Sequence, residues 1–348
     1  MKKVLVVHAT PIAYFPPAMN MVRSLKEDMS VKVQTISTKK CNNCYFHLLK
    51  ALCFEISSIF KMLLWHPDVI LYYESSSAFS PYLYKRYFNK NVKVYVHYHE
   101  YTTPEQYERI GMRITSFYHK LERKWLYSHS DWVSQTSEKR MSMFLVDNPM
   151  IPCSVTHSLP NYPPHSWHRK EKVHSEGPVK CVYVGSLSLD DMYIAEFCEW
   201  VNKQNGRVLF DIYCFNFSQS FATFIKKLDC PWIKHISEGV DYYSLPNTLD
   251  KYDIGLILYK PHDMNTIWNE TNKFYEYLVC GLDVWYPKGM TLLHEMDKTP
   301  FAPKIKEMDF DNMDTFDGTV NIGKVDNSTY HWFADDVYAD FKQMMNYI

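Results

Sequence analysis

Short apolar runs alternate with stretches whose apolar residues recur every three or four positions. Val-rich Lys3 to His8, Val31 to Ile36, Val69 to Tyr73, Val92 to Tyr98 and Trp132 to Gln135 read as strands buried on both faces, as in a parallel sheet. Between them the spacing predicts helices over 17–27, 46–65, 79–88 and 105–127. Thr136-Ser137-Glu138 reads as a helix start. Residues 151–178 break the rhythm with Pro152, Pro160, Pro163, Pro164 and Pro178. Alternation then resumes, with strands at 179–184, 208–214, 233–236, 254–258 and 282–286 and helices at 191–204, 218–228, 245–251 and 271–280, the last stopped by Gly281. Residues 300–328 are acidic and poorly periodic, and the last twenty read as an amphipathic helix.

The pattern predicts two doubly wound α/β domains facing a central cleft: 1–160, a linker at 161–178, then 179–329, followed by a terminal helix at 330–348. Ligands in such folds sit beyond the carboxyl ends of the strands. That directs attention to positions after His8, Tyr73, Tyr98, Val184, Cys214, Leu258 and Tyr286.

Composition narrows the function. In 348 residues, 38 Lys+Arg against 39 Asp+Glu give a net charge of −1, which speaks against general nucleic-acid binding. The first glycine is Gly111, so no phosphate loop and no Gly-x-Gly-x-x-Gly follows the first strand, and neither occurs later. Cys41 and Cys44 form one Cys-x-x-Cys without the second pair of a zinc ribbon. The remaining cysteines read as small hydrophobes and free thiols, which suits a reducing cytoplasm. The apolar run after Met1-Lys2-Lys3 is too short for a signal peptide, and no uncharged apolar stretch approaches a bilayer span.

The chemistry concentrates in Asn269 to Val284. A loop leads into a helix whose first turn carries Asn272 and Lys273, with Glu276 one turn later and Glu270 just before. Free N–H groups and partial positive charge at a helix start suit an anionic diphosphate, and a carboxylate one turn on suits sugar hydroxyls. A capped amphipathic helix with Lys273 and Glu276 in water fits the same residues. His97 and His99 share one face at a strand end. There they would orient a hydroxyl or act as base, or form a hydrogen-bonded structural pair. Asp309-Phe310-Asp311 has the spacing of a metal-binding acidic pair but reads as a solvated loop, so no metal is assigned. The helix at 46–65 reads as packed on the sheet through its broad apolar face. With Lys50 and Lys61 opposite, peripheral docking at the inner face of a membrane is the other reading.

Lys273-Phe274-Tyr275-Glu276-Tyr277-Leu278-Val279-Cys280-Gly281-Leu282-Asp283-Val284 resembles the Lys-Leu-x-Glu-Tyr-x-x-x-Gly-x-Pro-Val donor signature of nucleotide-sugar glycosyltransferases of the GT-B fold. The likeness is to the retaining group 1, family 4-like type. Leu249 to Leu256, Lys2 to Thr10 and Lys180 to Leu187 are similar to other parts of that family. The resemblance implies that Glu276 holds the ribose and that Asn272 and Lys273 lie beside the diphosphate. It also implies that the loop from Gly185 and Ser186 closes on the diphosphate, that the first domain binds a glycan or lipid-linked acceptor, and that the helix at 330–348 packs back across the first domain. It implies no cofactor beyond the donor, sugar transfer in surface polysaccharide synthesis, and retention of configuration. His97, His99 and Lys273 are the catalytic candidates. Two departures stand out. Trp268 occupies the place of a second family Glu, and Ser186 and Asp191 replace an Arg and a Lys that would neutralise the leaving diphosphate. Two alternatives stay open: a GT-B-fold sugar-nucleotide epimerase, and a catalytically silent sugar-binding or scaffold subunit, which the missing Arg and Lys after Gly185 keep alive.

Overall fold

The computed structural model describes residues 1–36, 44–174, 176–315 and 323–347. Cys41 of the Cys-x-x-Cys lies outside them. The chain divides into two units, Met1–Asn161 with Ala334–Ile348, and Tyr162–Phe333.

In the first unit the order is β1 (Lys3–His8), α1 (Pro16–Asp28), β2 (Ser30–Thr35), α2 (Cys44–Trp65), β3 (Val69–Tyr73), α3 (Phe79–Leu83), β4 (Lys93–Tyr98), α4 (Pro104–Tyr107), α5 (Arg113–Leu121), β5 (Trp132–Gln135), α6 (Glu138–Asp147) and β6 (Thr156–Ser158). The strands form one parallel sheet in the order β2-β1-β3-β4-β5-β6. Val4 to Val7 are wholly buried, as a strand covered on both faces requires. The helix expected over 105–127 is interrupted around Gly111 and ends in a π-turn at Glu122–Leu126. Glu122 accepts hydrogen bonds there from the buried phenols of Tyr72 (2.8 Å) and Tyr98 (2.7 Å).

Helix α2 packs on the sheet through only part of its apolar face: Ile59 and Leu63 are half-buried, whereas Leu48, Leu49, Leu52, Ile56, Phe60 and Leu64 are exposed. Phe54, Glu55, Ser58 and Met62 face inward instead. Ser58 donates to Phe54 O (2.6 Å), and the Glu55 carboxylate accepts the Ser80 N–H (3.1 Å). Hydrogen bonding lets two polar residues occupy the buried face, so the more apolar face is left outside.

In the second unit β7 (Glu171–Val173) precedes β8 (Val179–Val184), α7 (Ile194–Lys203), β9 (Val208–Tyr213), α8 (Gln219–Leu228), β10 (Ile233–Ile236), α9 (Leu245–Leu249), β11 (Ile254–Leu256), α10 (Met264–Ile267), α11 (Asn272–Val279), β12 (Asp283–Pro287), α12 (Thr291–Asp297), β13 (Ile305–Met308) and β14 (Lys324–Asp326). The parallel sheet runs β10-β9-β8-β11-β12-β13, and β14 pairs antiparallel with β7. Alternate residues of β8 enter opposite cores: Val182 packs with α11, Cys181 and Tyr183 with α7. The stretch read as a linker thus contains β7, and residues from 162 on count with the second unit.

The terminal helix α13 (Ala334–Tyr347) belongs to the first unit. Phe341 is fully buried, edge-on to Tyr95 (5.7 Å) and Trp132 (4.9 Å). Lys342 reaches Asp28 (2.8 Å) and Glu27 (3.2 Å) at the end of α1.

Candidate functional site

In the second unit, β8 ends at Gly185, whose φ of +143° suits glycine. A Cβ at this position would lie 2.8 Å from Lys273 Cε and 2.9 Å from Nζ. The missing side chain is therefore the space in which the lysine lies. Lys273 Nζ donates to Tyr259 Oη (2.8 Å) and sits over the rings of Tyr183 (5.5 Å) and Tyr259 (5.3 Å). Burial works against its charge, but Tyr259 and the Glu276 carboxylate outweigh that and raise its pKa. The Tyr183 hydroxyl donates to Ser186 O (2.7 Å), pinning the loop, while the Ser186 side chain stays exposed.

Helix α11 presents the rest. Asn272 and Lys273 occupy its first turn, both half-buried. Glu276 is only 8% exposed, and its carboxyl makes no hydrogen bond among the described residues. Burial pushes its pKa up to about 7, with Lys273 pulling the other way. A largely buried carboxyl that makes no hydrogen bond and has only the charge of Lys273 to favour its ionised form is costly in a free protein and marks a place where a ligand would supply hydrogen-bond donors. Glu270 is engaged differently: it accepts the Tyr275 hydroxyl.

Tyr277 locks α11 onto the sheet. Its ring lies over Gly255, where a Cβ would come within 2.1 Å of the ring, and its hydroxyl accepts the Val184 N–H (3.2 Å). The helix with Lys273 and Glu276 is thereby tied to the strand that delivers Gly185. No sequence pattern pairs Gly255 with Tyr277, because the contact is long-range. Asp191 and Trp268, which depart from the donor signature that the sequence resembles, also have places here. Asp191 is exposed, 3.9 Å from His262, and Trp268 follows α10.

In the first unit, His97 and His99 are both buried, and the strand ends bring further residues to them. His99 stacks on Tyr73 (5.0 Å, 7°), with His97 edge-on (4.8 Å) and Phe15 at 4.5 Å. His8 lies against Phe15 (4.7 Å) and Tyr73 (5.2 Å). His97 Nδ1 pairs with Ser134 Oγ (2.9 Å). Among the described residues, Nε2 of His8 and both amide atoms of Gln135 are buried without a hydrogen-bond partner, while the Asn161 side chain approaches both His97 and His99. Burial lowers His97 to about 3 and His8 to about 4. It takes His99 well below the ordinary value, with help from the two neighbouring rings. The imidazoles are therefore neutral near pH 7, and an ordinary histidine pKa does not apply to them.

Glu74, just after β3, joins this cluster. Its φ of +60° with ψ of 154° lies in a region that only glycine adopts readily. Its carboxylate accepts the His99 N–H (2.7 Å), and its own N–H donates to His97 O (3.2 Å). Burial and the Glu100 carboxylate push its pKa up to about 8. Arg140 Nη1 fixes the same turn by donating to His99 O (2.8 Å). The strand-end rule points to His8 and to the position after Tyr73, but the strain at Glu74 has no sequence signal.

Elsewhere, Asp309 lies 3.9 Å from Lys288, and Asp311 accepts from Tyr193 (3.2 Å). Among the described residues no group of three or more His, Cys, Asp or Glu is arranged to hold a metal ion. No described helix is long and apolar enough to cross a membrane.

No family model and no curated protein matches this sequence. Solved structures do. HepE from Anabaena in complex with UDP-glucose aligns over 100% of both chains at 10% identity, TM-score 0.66. Sucrose-phosphate synthase from Thermosynechococcus elongatus aligns over 90% of this chain and 87% of its own at 10% identity, TM-score 0.62. A putative UDP-N-acetylglucosamine 2-epimerase from Listeria monocytogenes aligns over 100% and 98% at 11% identity, TM-score 0.60. At such identities the likeness speaks for architecture alone, and that architecture is the GT-B fold with its two doubly wound, Rossmann-like units.

Proposed function

We propose that the chain is a glycosyltransferase that takes a sugar from a nucleotide diphosphate donor and passes it to a glycan or lipid-linked acceptor, as in surface polysaccharide assembly. The observation that carries this is the largely buried Glu276, without a hydrogen bond among the described residues, one turn along α11 from Lys273, itself lying where Gly185 leaves room. Glu276 accepts the ribose hydroxyls, an interaction strengthened by its charge. The α11 start at Asn272, the Lys273 ammonium and the loop at Gly185 and Ser186 receive the diphosphate. As the glycosidic bond breaks, charge grows on the departing diphosphate. Lys273 and the helix-start amides oppose it in place of the Arg and Lys that Ser186 and Asp191 supplant. In the first unit, neutral His99 and His97 orient an acceptor hydroxyl by hydrogen bonding. That solved structures of this fold hold UDP and UDP-glucose supports a nucleotide sugar as ligand.

A second reading, a sugar-nucleotide epimerase, draws on Glu74, whose raised pKa beside His99 suits proton transfer. One experiment separates the readings. A thermal-shift panel of UDP, GDP, CMP and their sugars first finds the donor class. The stabilising nucleotide sugar is then incubated without and with a cell-envelope extract. Transfer that needs the extract supports the proposal, an epimer formed without it supports the second reading, and binding without turnover identifies a silent sugar-binding subunit. Absence of any nucleotide stabilisation refutes all three.

A further inference from the structure

Lys273 has a task that a lysine meets poorly by itself. The loop 185–192 holds no Lys or Arg, so charge growing on a departing diphosphate falls to this ammonium and to the amides at the start of α11. An ammonium on a four-carbon stem is a mobile point charge. Stabilising a transition state requires a charge already in place, because one that must first be ordered loses part of its effect. The groups that hold the lysine still therefore bear on the chemistry as directly as the lysine does.

Two tyrosines surround it. Lys273 Nζ commits one N–H to Tyr259 Oη (2.8 Å) and lies 5.5 Å from the ring centre of Tyr183 and 5.3 Å from that of Tyr259, within the range over which an aromatic face attracts a cation. Tyr259 is itself held in place. Its backbone pairs antiparallel with Met192, at the end of the loop that follows β8. On either side of that pair the Tyr193 N–H donates to Leu258 O (2.8 Å) and the Lys260 N–H to Asp191 O (2.9 Å). The near end of the same loop is fixed too: the Tyr183 hydroxyl donates to Ser186 O (2.7 Å) and the Leu187 N–H to Asn216 O (3.2 Å). The phenol of Tyr259 is thus carried by backbone laced to the loop that starts at Gly185. A phenylalanine would keep the ring and the lacing, so packing alone gives no reason for the hydroxyl. The bond to Lys273 gives one.

We infer that Tyr259 is a positioning residue of the donor site: its hydroxyl fixes one N–H of Lys273 and leaves the others for the diphosphate before the sugar bond breaks. This rests on the donor reading proposed above and extends it to a residue outside α11. Tyr259 lies fourteen positions before Lys273 and at the end of a different element, so the donor signature does not include it.

Tyr259→Phe tests it, since it removes the hydroxyl and nothing else. In ligand-free protein carrying isotope-labelled lysine, the Lys273 ammonium, identified by its absence from Lys273→Met, should give a slowly exchanging NMR signal that Tyr259→Phe broadens away. Tyr183→Phe, which keeps the Lys273–Tyr259 bond, should retain that signal. Turnover of the stabilising nucleotide sugar at saturating concentration should fall about 10- to 100-fold in Tyr259→Phe, as misplacement of a catalytic group by about 1 Å does. Affinity for the nucleoside diphosphate and circular dichroism should stay as in the wild type, because the charge itself remains. Unchanged turnover overturns the inference. So does a loss of diphosphate affinity as large as the loss of turnover, since the hydroxyl would then serve binding of the ground state. A Lys273 signal lost equally in Tyr183→Phe overturns it as well, because both variants would then merely loosen the unit. A wild type that shows the lysine signal and binds no nucleotide refutes the donor reading itself, and the role of Tyr259 in it.

Discussion

Replacing Glu276 by glutamine should stabilise the free protein and weaken donor binding, and both effects follow from the same buried carboxyl. In the folded chain its pKa rises from the ordinary 4.5 to about 7, because burial opposes the charge more than Lys273 favours it. Below about pH 4.5 the group is protonated folded and unfolded, and it contributes nothing. As pH rises the unfolded chain loses the proton first, so stability falls through this window. Above about 7 the full cost is present, on the order of 3 kcal/mol at about 1.4 kcal/mol per pH unit. For a unit of the size of Tyr162–Phe333 this corresponds to roughly 5–10 °C in Tm. Glu276→Gln removes the charge and keeps the shape. Its Tm should therefore exceed that of wild type at pH 8 and match it at pH 4.5. Binding of the nucleotide sugar draws on the charged form, so wild-type affinity should rise with pH up to about 7 and level off. The variant should bind about 10- to 100-fold more weakly at pH 8, without that slope. Differential scanning calorimetry and titration calorimetry at pH 5, 6, 7 and 8 read both quantities. A variant that is no more stable at pH 8, or that binds the nucleotide sugar as tightly as wild type, would refute the reasoning.

Three further outcomes are expected. Gly255→Ala should destabilise by about 3 kcal/mol or more in urea unfolding, because its methyl group would meet the buried Tyr277 ring and break the bond that ring makes to the Val184 N–H. Lys273→Met should weaken nucleoside diphosphate binding by about 10- to 100-fold and nucleoside binding much less, as titration of both ligands would show. His99→Ala should lower transfer more than donor affinity, since the ring belongs to the first unit, and steady-state kinetics beside direct donor binding would separate the two.

The fold was legible because its evidence is local. Val-rich runs such as Lys3–His8 and Val69–Tyr73 can be little else than strands buried on both sides, and Gly281, at φ +75°, ends α11 as its spacing suggests. Strand β13 escaped notice because Ile305-Lys306-Glu307-Met308 sits at a sheet edge, where charges break the apolar run. Periodicity shows a broad apolar face on α2 but not how much of it the sheet covers, since the pattern reports that a face is apolar and not what covers it. The donor residues lay within one helix and could be read together. The partners that give them meaning came from distant strands: Gly185 makes room for Lys273, and Gly255 makes room for Tyr277. The strained Glu74 beneath His99 belongs to the same class.

By itself the sequence determined two parallel α/β units, the helix that bears Lys273 and Glu276, and the histidines at a strand end, because each depends on residues within a few turns of one another. The tertiary structure alone decided which carboxyl is buried without a hydrogen bond, which imidazoles are held neutral and which apolar face meets the outside. Burial is a property of everything packed around a group, and in this chain most of what surrounds these groups lies tens of residues away.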